Sequence, residues 1–139
     1  MSRQIIIHTD GGSRGNPGPG GSGFTLEDEK GIQLAARGIY LGHTTNNIAE
    51  YTGIKEALRT AKELGAESIR LFSDSELLVK QLNGQYKVKS DNLKELYADC
   101  MELLTSFRGW QVIHIPREKN ARADALANEA MDKKGDVRM

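Results

Sequence analysis

The sequence of 139 residues contains no apolar run that approaches the length of a membrane span. A transmembrane helix needs about 20 predominantly apolar residues, whereas the first ten residues contain only three apolar residues in a row before His8. Such a run is also too short for the core of a secretory signal peptide. The sequence therefore predicts no membrane partner and a cytoplasmic location.

Cysteine is nearly absent as well, with Cys100 the single example. One cysteine excludes an internal disulfide and any zinc site built on paired cysteines. Cys100 occupies an apolar position of a helix-periodic segment, and small apolar side chains at such positions are usually buried. We therefore expect Cys100 to belong to the core.

The sequence lacks an excess of either charge, with 19 basic and 19 acidic residues. Proteins that bind nucleic acid often carry a basic excess, so this balance argues against a large phosphate-binding surface. Basic residues still cluster in one stretch, at Lys80, Lys87, Lys89 and Lys94, where Asp91 is the opposing charge. This stretch indicates either an ordinary solvated surface or a local contact with an anionic partner.

Hydrophobic patterning predicts a single α/β domain over residues 1–139. The predicted strands are 4–9, 22–28, 32–41, 67–73 and 110–115, and the predicted helices are 46–64, 75–83, 91–107 and 120–133. An initial meander followed by crossover units predicts a five-stranded mixed β-sheet flanked by helices. Residues 135–139 are expected to be frayed.

Four acidic residues occupy positions where catalytic groups are often found. Asp10 and Asp74 each end an apolar strand, at the edge of the sheet where α/β proteins build their sites. Glu50 lies beside the apolar face of the first predicted helix, and Asp124 lies in the first turn of the last one. Each acid also has a structural interpretation as a cap or as a complement to a helix dipole. Periodicity alone does not bring the four carboxylates together.

Convergence of these carboxylates would restrict their chemistry. Several carboxylates do not remain ionised in one crevice without a compensating positive charge. Oxygen ligands with open positions suit Mg²⁺ or Mn²⁺, which keep waters and bind phosphates. Two such ions about 4 Å apart can activate water on one side of a phosphodiester and stabilise the leaving oxygen on the other.

A glycine-rich segment follows the first predicted strand. Gly18, Gly20 and Gly23 formally satisfy a dinucleotide-binding pattern, but that site needs a helix directly after the turn, and this sequence continues as a strand. We therefore exclude a nicotinamide or ATP site and expect the glycines to let backbone amides approach a phosphate or ribose. The neighbouring segment HTTNN at 43–47 suits either helix capping or phosphate and ribose contacts.

Four segments together resemble, in order and spacing, the motifs of type I ribonuclease H. They are TDGGSRGNPGPGGSG at 9–23, TTNNIAEYTGIKEAL at 44–58, LFSDSELLVKQLNG at 71–84 and IPREKNARADALANEA at 115–130. The resemblance covers nearly the whole chain. It implies a ribonuclease H-like fold and metal-dependent hydrolysis of the RNA strand of RNA–DNA hybrids with two Mg²⁺ or Mn²⁺ ions, leaving 5′-phosphate and 3′-hydroxyl ends.

The resemblance also implies roles for particular residues. The metal-binding and catalytic carboxylates are Asp10, Glu50, Asp74 and Asp124. Contacts to the RNA strand are expected from Gly11, Gly12, Ser13 and Asn16, and contacts to phosphates and the minor groove from Thr45, Asn46 and Asn47. Recognition of 2′-hydroxyls would select the RNA strand, and A-like groove shape would explain indifference to sequence.

Two departures from the family pattern affect these expectations. Many bacterial members carry a His in the loop before the last catalytic Asp, whereas this loop reads PREKN. We expect Arg117 to take that catalytic role and His114, within a strand, to be structural. The basic handle of many bacterial members is also missing, so we expect Lys87 and Lys89 to contribute substrate affinity.

Two alternatives to a strict hybrid-cutting enzyme remain open at this point. Double-stranded RNA is a second possible substrate for members without the handle. A non-catalytic module that reads hybrids or structured RNA by shape is a rival of another class, although such a module has no need of four acids. No feature of the sequence indicates an obligate assembly, and we expect a monomer.

Overall fold

Six strands form one mixed sheet in the computed structural model, which describes residues 3–138. The strands are β1 Gln4–Ser13, β2 Gly18–Glu27, β3 Gln33–Thr44, β4 Ser68–Ser73, β5 Gly109–His114 and β6 Val137–Arg138. Their spatial order is β5-β4-β1-β2-β3-β6. β1 pairs antiparallel with β2 and parallel with β4, and β5 is parallel to β4. The sheet is therefore mixed, as the patterning predicted.

Helices cover both faces of this sheet. They are α1 Asn46–Glu63, α2 Glu76–Leu82, α3 Asp91–Thr105 and α4 Ala121–Lys133, and a 3₁₀ turn spans Arg117–Lys119. α1 packs on β1 and β2 and is itself covered by α3, whereas α4 packs on β2 and β3 from the opposite side. None of the helices in the described part of the chain is long and apolar enough to cross a membrane.

The main core lies between the sheet and the layer of α1 and α3. Its largest fully buried side chains are Ile5, Ile7, Phe24, Leu26, Tyr51, Ile54, Leu58, Ile69, Leu71, Leu78, Leu82 and Leu104. Burying such a side chain stabilises the fold by about 1.5–3 kcal/mol. Cys100 belongs to this core with no exposed surface, as expected, and burial raises the pKa of its thiol to about 12.

The prediction of five strands was wrong, because the segment expected to fray adds a sixth. Val137 pairs with Gly38 and Arg138 with Arg37, which makes β6 the edge strand beside β3. Val137 is buried in a small second cluster with Ala36, Leu126 and Ala130. A two-residue strand with one apolar side chain shows no alternation, so the sequence pattern does not reveal it. Met139 lies outside the described residues.

The glycine-rich segment is also more regular than predicted. β1 continues past Asp10 to Ser13, and β2 begins at Gly18 rather than at residue 22. The pairing of β1 with β2 continues through the glycines, with Gly12 opposite Gly21 and Ser13 opposite Gly20. Low β-propensity made this part look like a turn, but continuous pairing with β2 outweighs that propensity.

Candidate active site

Three carboxylates meet at the end of the parallel pair β1 and β4. Thr9 is paired with Ser73, so the residues that follow them, Asp10 and Asp74, lie side by side. Glu50 approaches from α1, and one carboxylate oxygen from each of the three acids lies within 4.8 Å of the others. The parallel register thus places two acids that are 64 positions apart in the sequence next to each other.

A close approach of α1 to β1 places Glu50 in this cluster. A Cβ atom on Gly11 would lie 2.8 Å from the carbonyl carbon and oxygen of Ala49, so only glycine allows the helix to pack there. The hydroxyl of Ser22 on β2 donates to the same Ala49 carbonyl at 2.5 Å. The backbone directly before Glu50 is therefore held against both central strands.

A second close approach, on the other face, positions Asp124. A Cβ atom on Gly23 would lie 2.1 Å from the Ala123 carbonyl oxygen, so α4 rests on the backbone of β2. Asn120, which precedes α4, is 1% exposed and donates from Nδ2 to the carbonyl of Thr9 at 2.7 Å. This bond links the start of α4 to the residue before Asp10. Asp124 lies outside the three-acid cluster but hydrogen-bonds with Asp10.

Burial and the charges of neighbouring carboxylates disfavour ionisation of the clustered acids. Burial, the hydrogen bond to Asp124 and the charges of Asp74 and Asp124 raise the pKa of Asp10 to about 8. Burial and the charges of Asp10 and Asp74 raise the pKa of Glu50 well above its usual range. A nearby divalent cation reverses this preference by stabilising the ionised carboxylates.

The residues present fit a divalent metal ion that prefers oxygen ligands. Among the described residues, Glu50 Oε2 is buried without a hydrogen-bond partner. Unsatisfied buried carboxylate oxygens are costly, and metal coordination is one way to satisfy them. The donor set consists of carboxylate oxygens from Asp10, Glu50 and Asp74, with Asp124 adjacent, which is the chemistry that Mg²⁺ and Mn²⁺ take.

The acids open into a cleft of about 430 Å³, which we call the active-site cleft. Its lining residues are Asp10, Gly11, Gly12, Ser13, Arg14, Glu50, Asp74, Ser75, Arg117, Asp124, Ala127, Asn128 and Met131. Arg117 lies in the 3₁₀ turn with its side chain 81% exposed, and its Nη2 is 3.8 Å from Asp124 Oδ1. The structure therefore places Arg117 at the acids.

His114 lies away from these acids. It is exposed at the end of β5. It is not one of the residues that line the active-site cleft.

The segment from Ser13 to Asn16 is tied to the start of α1. Asn46 Oδ1 accepts from the amide of Ser13 at 2.8 Å and from its hydroxyl at 3.1 Å. The amide of Asn46 donates to Asn16 Oδ1 at 3.1 Å. Thr45 caps α1 by accepting from the amide of Ile48 at 3.3 Å. These polar residues form one connected rim beside the cleft, and Thr45 fulfils the capping interpretation.

Asn47, Lys87 and Lys89 lie in a different concavity. They line a groove of about 510 Å³ together with Leu77, Gln81, Gln85, Tyr86, Ser90 and Leu93. Leu77 and Tyr86 are exposed large hydrophobic residues, at 41% and 51%. We call this concavity the lysine groove. The structure thus separates these three predicted substrate contacts from the acids.

Three glycines have a packing role that the sequence analysis did not predict. A Cβ on Gly18 would lie 2.1 Å from the Arg14 carbonyl oxygen, and one on Gly20 would lie 2.3 Å from Thr44 Cγ2. Gly23, described above, meets α4 in the same way. These glycines permit close packing within the protein.

Sequence reasoning missed Arg14 and Asn128 as cleft residues. Arg14 stands within the quoted glycine-rich motif, and Asn128 follows Asp124 by one helical turn. Spacing of i and i+4 places both α4 residues on one helix face. That spacing was the available signal for Asn128, whereas only the strand pairing brings Arg14 to the same cleft.

Comparisons of sequence and fold with known proteins agree on one family. A family model described as "Reverse transcriptase-like" matches residues 8–130. Ribonuclease HI of Halobacterium salinarum is 45% identical over 129 residues, covering 93% of this chain and 65% of the relative. Ribonuclease H of a Sulfurovum species is 36% identical over 141 residues, covering 92% of this chain and 91% of the relative. The chain thus spans slightly less than two thirds of the first relative's length.

Solved structures agree with the sequence relatives. RNase H1 from Halobacterium salinarum superposes with a TM-score of 0.90 at 42% identity, over 94% of this chain and 98% of that chain. LC11-RNase H1, solved in complex with an RNA/DNA hybrid, gives a TM-score of 0.88 at 47% identity over 94% and 98% of the two chains.

The sheet order, the helices on both faces and the acid cleft define a ribonuclease H-like protein of the α/β class. The chain belongs to the type I ribonuclease H family. Within this family it falls in the subgroup without the basic handle, since residues 83–90 join α2 to α3 without an inserted helix.

Proposed function

We propose that the chain is an endonuclease that hydrolyses the RNA strand of RNA–DNA hybrids with Mg²⁺ or Mn²⁺, and that residues 1–139 form one catalytic domain. One observation carries the proposal: three carboxylates lie within 4.8 Å at the end of the parallel strands. The 47% identical LC11-RNase H1, whose structure contains an RNA/DNA hybrid, supports the substrate class.

Asp10, Glu50 and Asp74 would hold the metal, and Asp124 would complete the site from α4. Two bound ions would supply an activated water on one side of the phosphodiester and stabilise the leaving oxygen on the other. Glu50 is buried and fixed by the packing of α1, so its oxygens are oriented before substrate arrives. Asp124 is one third exposed, which leaves room for a hydrolytic water beside it.

Arg117 is suited to act on the leaving side of the reaction. Its guanidinium is 3.8 Å from Asp124, on the solvent side of the cleft. Arginine stays protonated and donates in a planar fork that matches phosphate oxygens. We assign Arg117 to stabilising the negative charge that develops on the leaving oxygen, in place of the loop His that helps the leaving group or product release in many bacterial members.

The rim beside the acids would select the RNA strand. Gly11, Gly12 and Ser13 line the cleft, and Asn16 and Asn46 hold the rim in place. A rim of backbone amides and small polar groups suits 2′-hydroxyl recognition, which distinguishes RNA from DNA.

The lysine groove would bind the rest of the duplex. Lys87 and Lys89 add positive charge, and Asn47 joins this groove to the start of α1. Phosphate contacts contribute affinity without sequence preference. We assign Thr45 and Asn47 to the junction between the two surfaces.

Cleavage of a labelled RNA–DNA hybrid tests the proposal, with double-stranded RNA alongside and with Mg²⁺, Mn²⁺ or EDTA. We expect metal-dependent cutting of the RNA strand with 5′-phosphate ends. Asp10→Asn should abolish cutting while the folded protein still binds the hybrid. A folded wild-type protein that binds the hybrid and cuts in neither metal would establish the non-catalytic module instead. Cutting of double-stranded RNA would add that substrate.

A further inference from the structure

The active-site cleft extends beyond the acids towards a part of α4 that the proposed mechanism does not use. Arg14, in the segment between β1 and β2, forms one wall of this extension. Asn128 and Met131 form the other wall, one and two turns after Asp124. The cleft is thus longer than the metal site requires, and a charged side chain stands in its second half.

Arg14 is held in position by α4. Its Nη1 lies 2.6 Å from Asp132 Oδ1, and its Nη2 donates to the carbonyl and to Oδ1 of Asn128, each at 3.4 Å. The side chain of Arg14 remains 48% exposed and that of Asp132 is 68% exposed. Exposed ion pairs contribute little to stability, so stability alone is a weak reason for this arrangement. A held guanidinium that still faces solvent is preorganised for a ligand.

The charge distribution of the cleft defines the ligand. Of the described residues that line it, four are carboxylates, and Arg14 and Arg117 are the two cations. Arg117 stands beside Asp124, whereas Arg14 stands on the side of Asn128. A nucleic-acid strand that places one phosphate over the acids carries its neighbouring phosphates along the cleft. An arginine fork matches two oxygens of such a phosphate.

We propose that Arg14 is a substrate-binding residue that contacts a phosphate of the cleaved strand adjacent to the scissile one. This inference rests on the proposed function for the identity of the strand. Asp132 and Asn128 act as positioning residues, because they fix the guanidinium of Arg14. The contact is sequence-independent, and it anchors the strand on the side opposite Arg117.

The test compares Arg14→Ala, Arg14→Lys and Asp132→Asn. Each is measured for KM and kcat of hybrid cleavage at several salt concentrations. Each is also made in the Asp10→Asn background, where hybrid affinity is measured in Mg²⁺ without cleavage. We expect Arg14→Ala to weaken binding roughly tenfold. The salt slope, which is the slope of the logarithm of the binding constant against the logarithm of salt concentration, should fall in magnitude by about one. The kcat of Arg14→Ala should change much less than its KM.

The other two variants separate a phosphate contact from a structural clamp. Arg14→Lys keeps the charge and should retain the salt slope, with affinity between wild type and Arg14→Ala. Asp132→Asn removes the ion pair but keeps the charge of Arg14, so it should retain the salt slope and raise KM less than Arg14→Ala does. If Asp132→Asn reduces the salt slope as much as Arg14→Ala does, or if Arg14→Ala leaves the slope unchanged, Arg14 is a clamp and the inference is overturned.

Failure of this inference is distinguishable from failure of the proposed function. If the wild-type protein cuts the hybrid but its salt slope is the same in Arg14→Ala, only the phosphate contact is overturned. If the wild-type protein binds the hybrid without cutting it, the nuclease proposal is overturned. If the salt slope is then still smaller in Arg14→Ala than in the wild type, the phosphate contact is supported. Circular dichroism of each variant verifies that it is folded.

Discussion

Replacing Asp10 with Asn should stabilise the metal-free protein, because the wild-type site holds an acid where its ionised form is disfavoured. Burial, the bond to Asp124 and neighbouring charge raise the Asp10 pKa from 3.8 to about 8. Between these two values the unfolded chain is ionised while the folded chain keeps the proton. The free energy of unfolding therefore falls as pH rises through this window, by about 1.4 kcal/mol per pH unit.

The magnitude follows from the width of that window. At pH 7 about three units have been crossed, which gives an upper limit of about 4 kcal/mol, reduced by solvent screening to about 2–4 kcal/mol. Asparagine does not titrate and avoids this cost. Each kcal/mol shifts the melting temperature of a domain this size by about 3–4 °C, so Asp10→Asn should melt roughly 6–16 °C higher at pH 7 in EDTA.

Urea and thermal unfolding at pH 4 and pH 7, each with EDTA or Mg²⁺, measure this effect. The gain from Asp10→Asn should nearly vanish at pH 4, because this pH has only just passed the unfolded pKa of 3.8 and little of the window has been crossed. Mg²⁺ should stabilise the wild type more than the variant, since ligand binding adds to folded-state stability. Asp132→Asn is the matched control on an exposed acid, and its melting temperature should change little. An Asp10→Asn protein that is no more stable at pH 7, or equally stabilised at both pH values, refutes the reasoning.

Three further predictions concern the packing that supports the site. Gly23→Ala should destabilise the protein by about 2–4 kcal/mol in urea unfolding, because its Cβ would lie 2.1 Å from the Ala123 carbonyl oxygen; an unchanged midpoint would contradict this. Asn120→Ala should cost about 1–3 kcal/mol and lower Mg²⁺ affinity by calorimetry, because it removes the bond to Thr9; unchanged values in both would exclude a positioning role. Cys100 should resist thiol reagents in the folded protein until denaturant is added, because burial raises its thiol pKa to about 12; rapid labelling without denaturant would show that the core opens.

The helices and the central strands could be predicted because their patterns are strong and local. α1 was predicted over 46–64 and spans Asn46–Glu63, with Gly65 after it at positive φ. That Asp10 and Asp74 each follow an apolar run was also accessible, although β1 continues past Asp10 to Ser13. Their proximity was not, because it depends on the parallel register of β1 and β4.

The parts that escaped prediction depend on contacts between distant segments. β6 forms because Val137 packs into the cluster around Leu126. No local sequence pattern indicates this packing. The role of Gly23 depends on the approach of α4, and the place of Arg14 depends on its ion pair with Asp132. Gly23 and Ala123 are 100 positions apart, and Arg14 and Asp132 are 118 positions apart. Val137 pairs with Gly38 across 99 positions, so the sequence around each of these residues does not reveal the partner.

The bond between Asn120 and Thr9 joins positions 111 apart, and it ties the first strand to the last helix beside the acids. Chain synthesis proceeds from the N-terminus, so Asp10, Glu50 and Asp74 all emerge before α4 and Asp124. A growing chain therefore lacks the fourth acid and the whole α4 wall of the cleft until residues 121–133 have been made. Among the described helices α4 comes last in the chain, so the nuclease activity proposed above requires the segment that also closes the second face of the sheet.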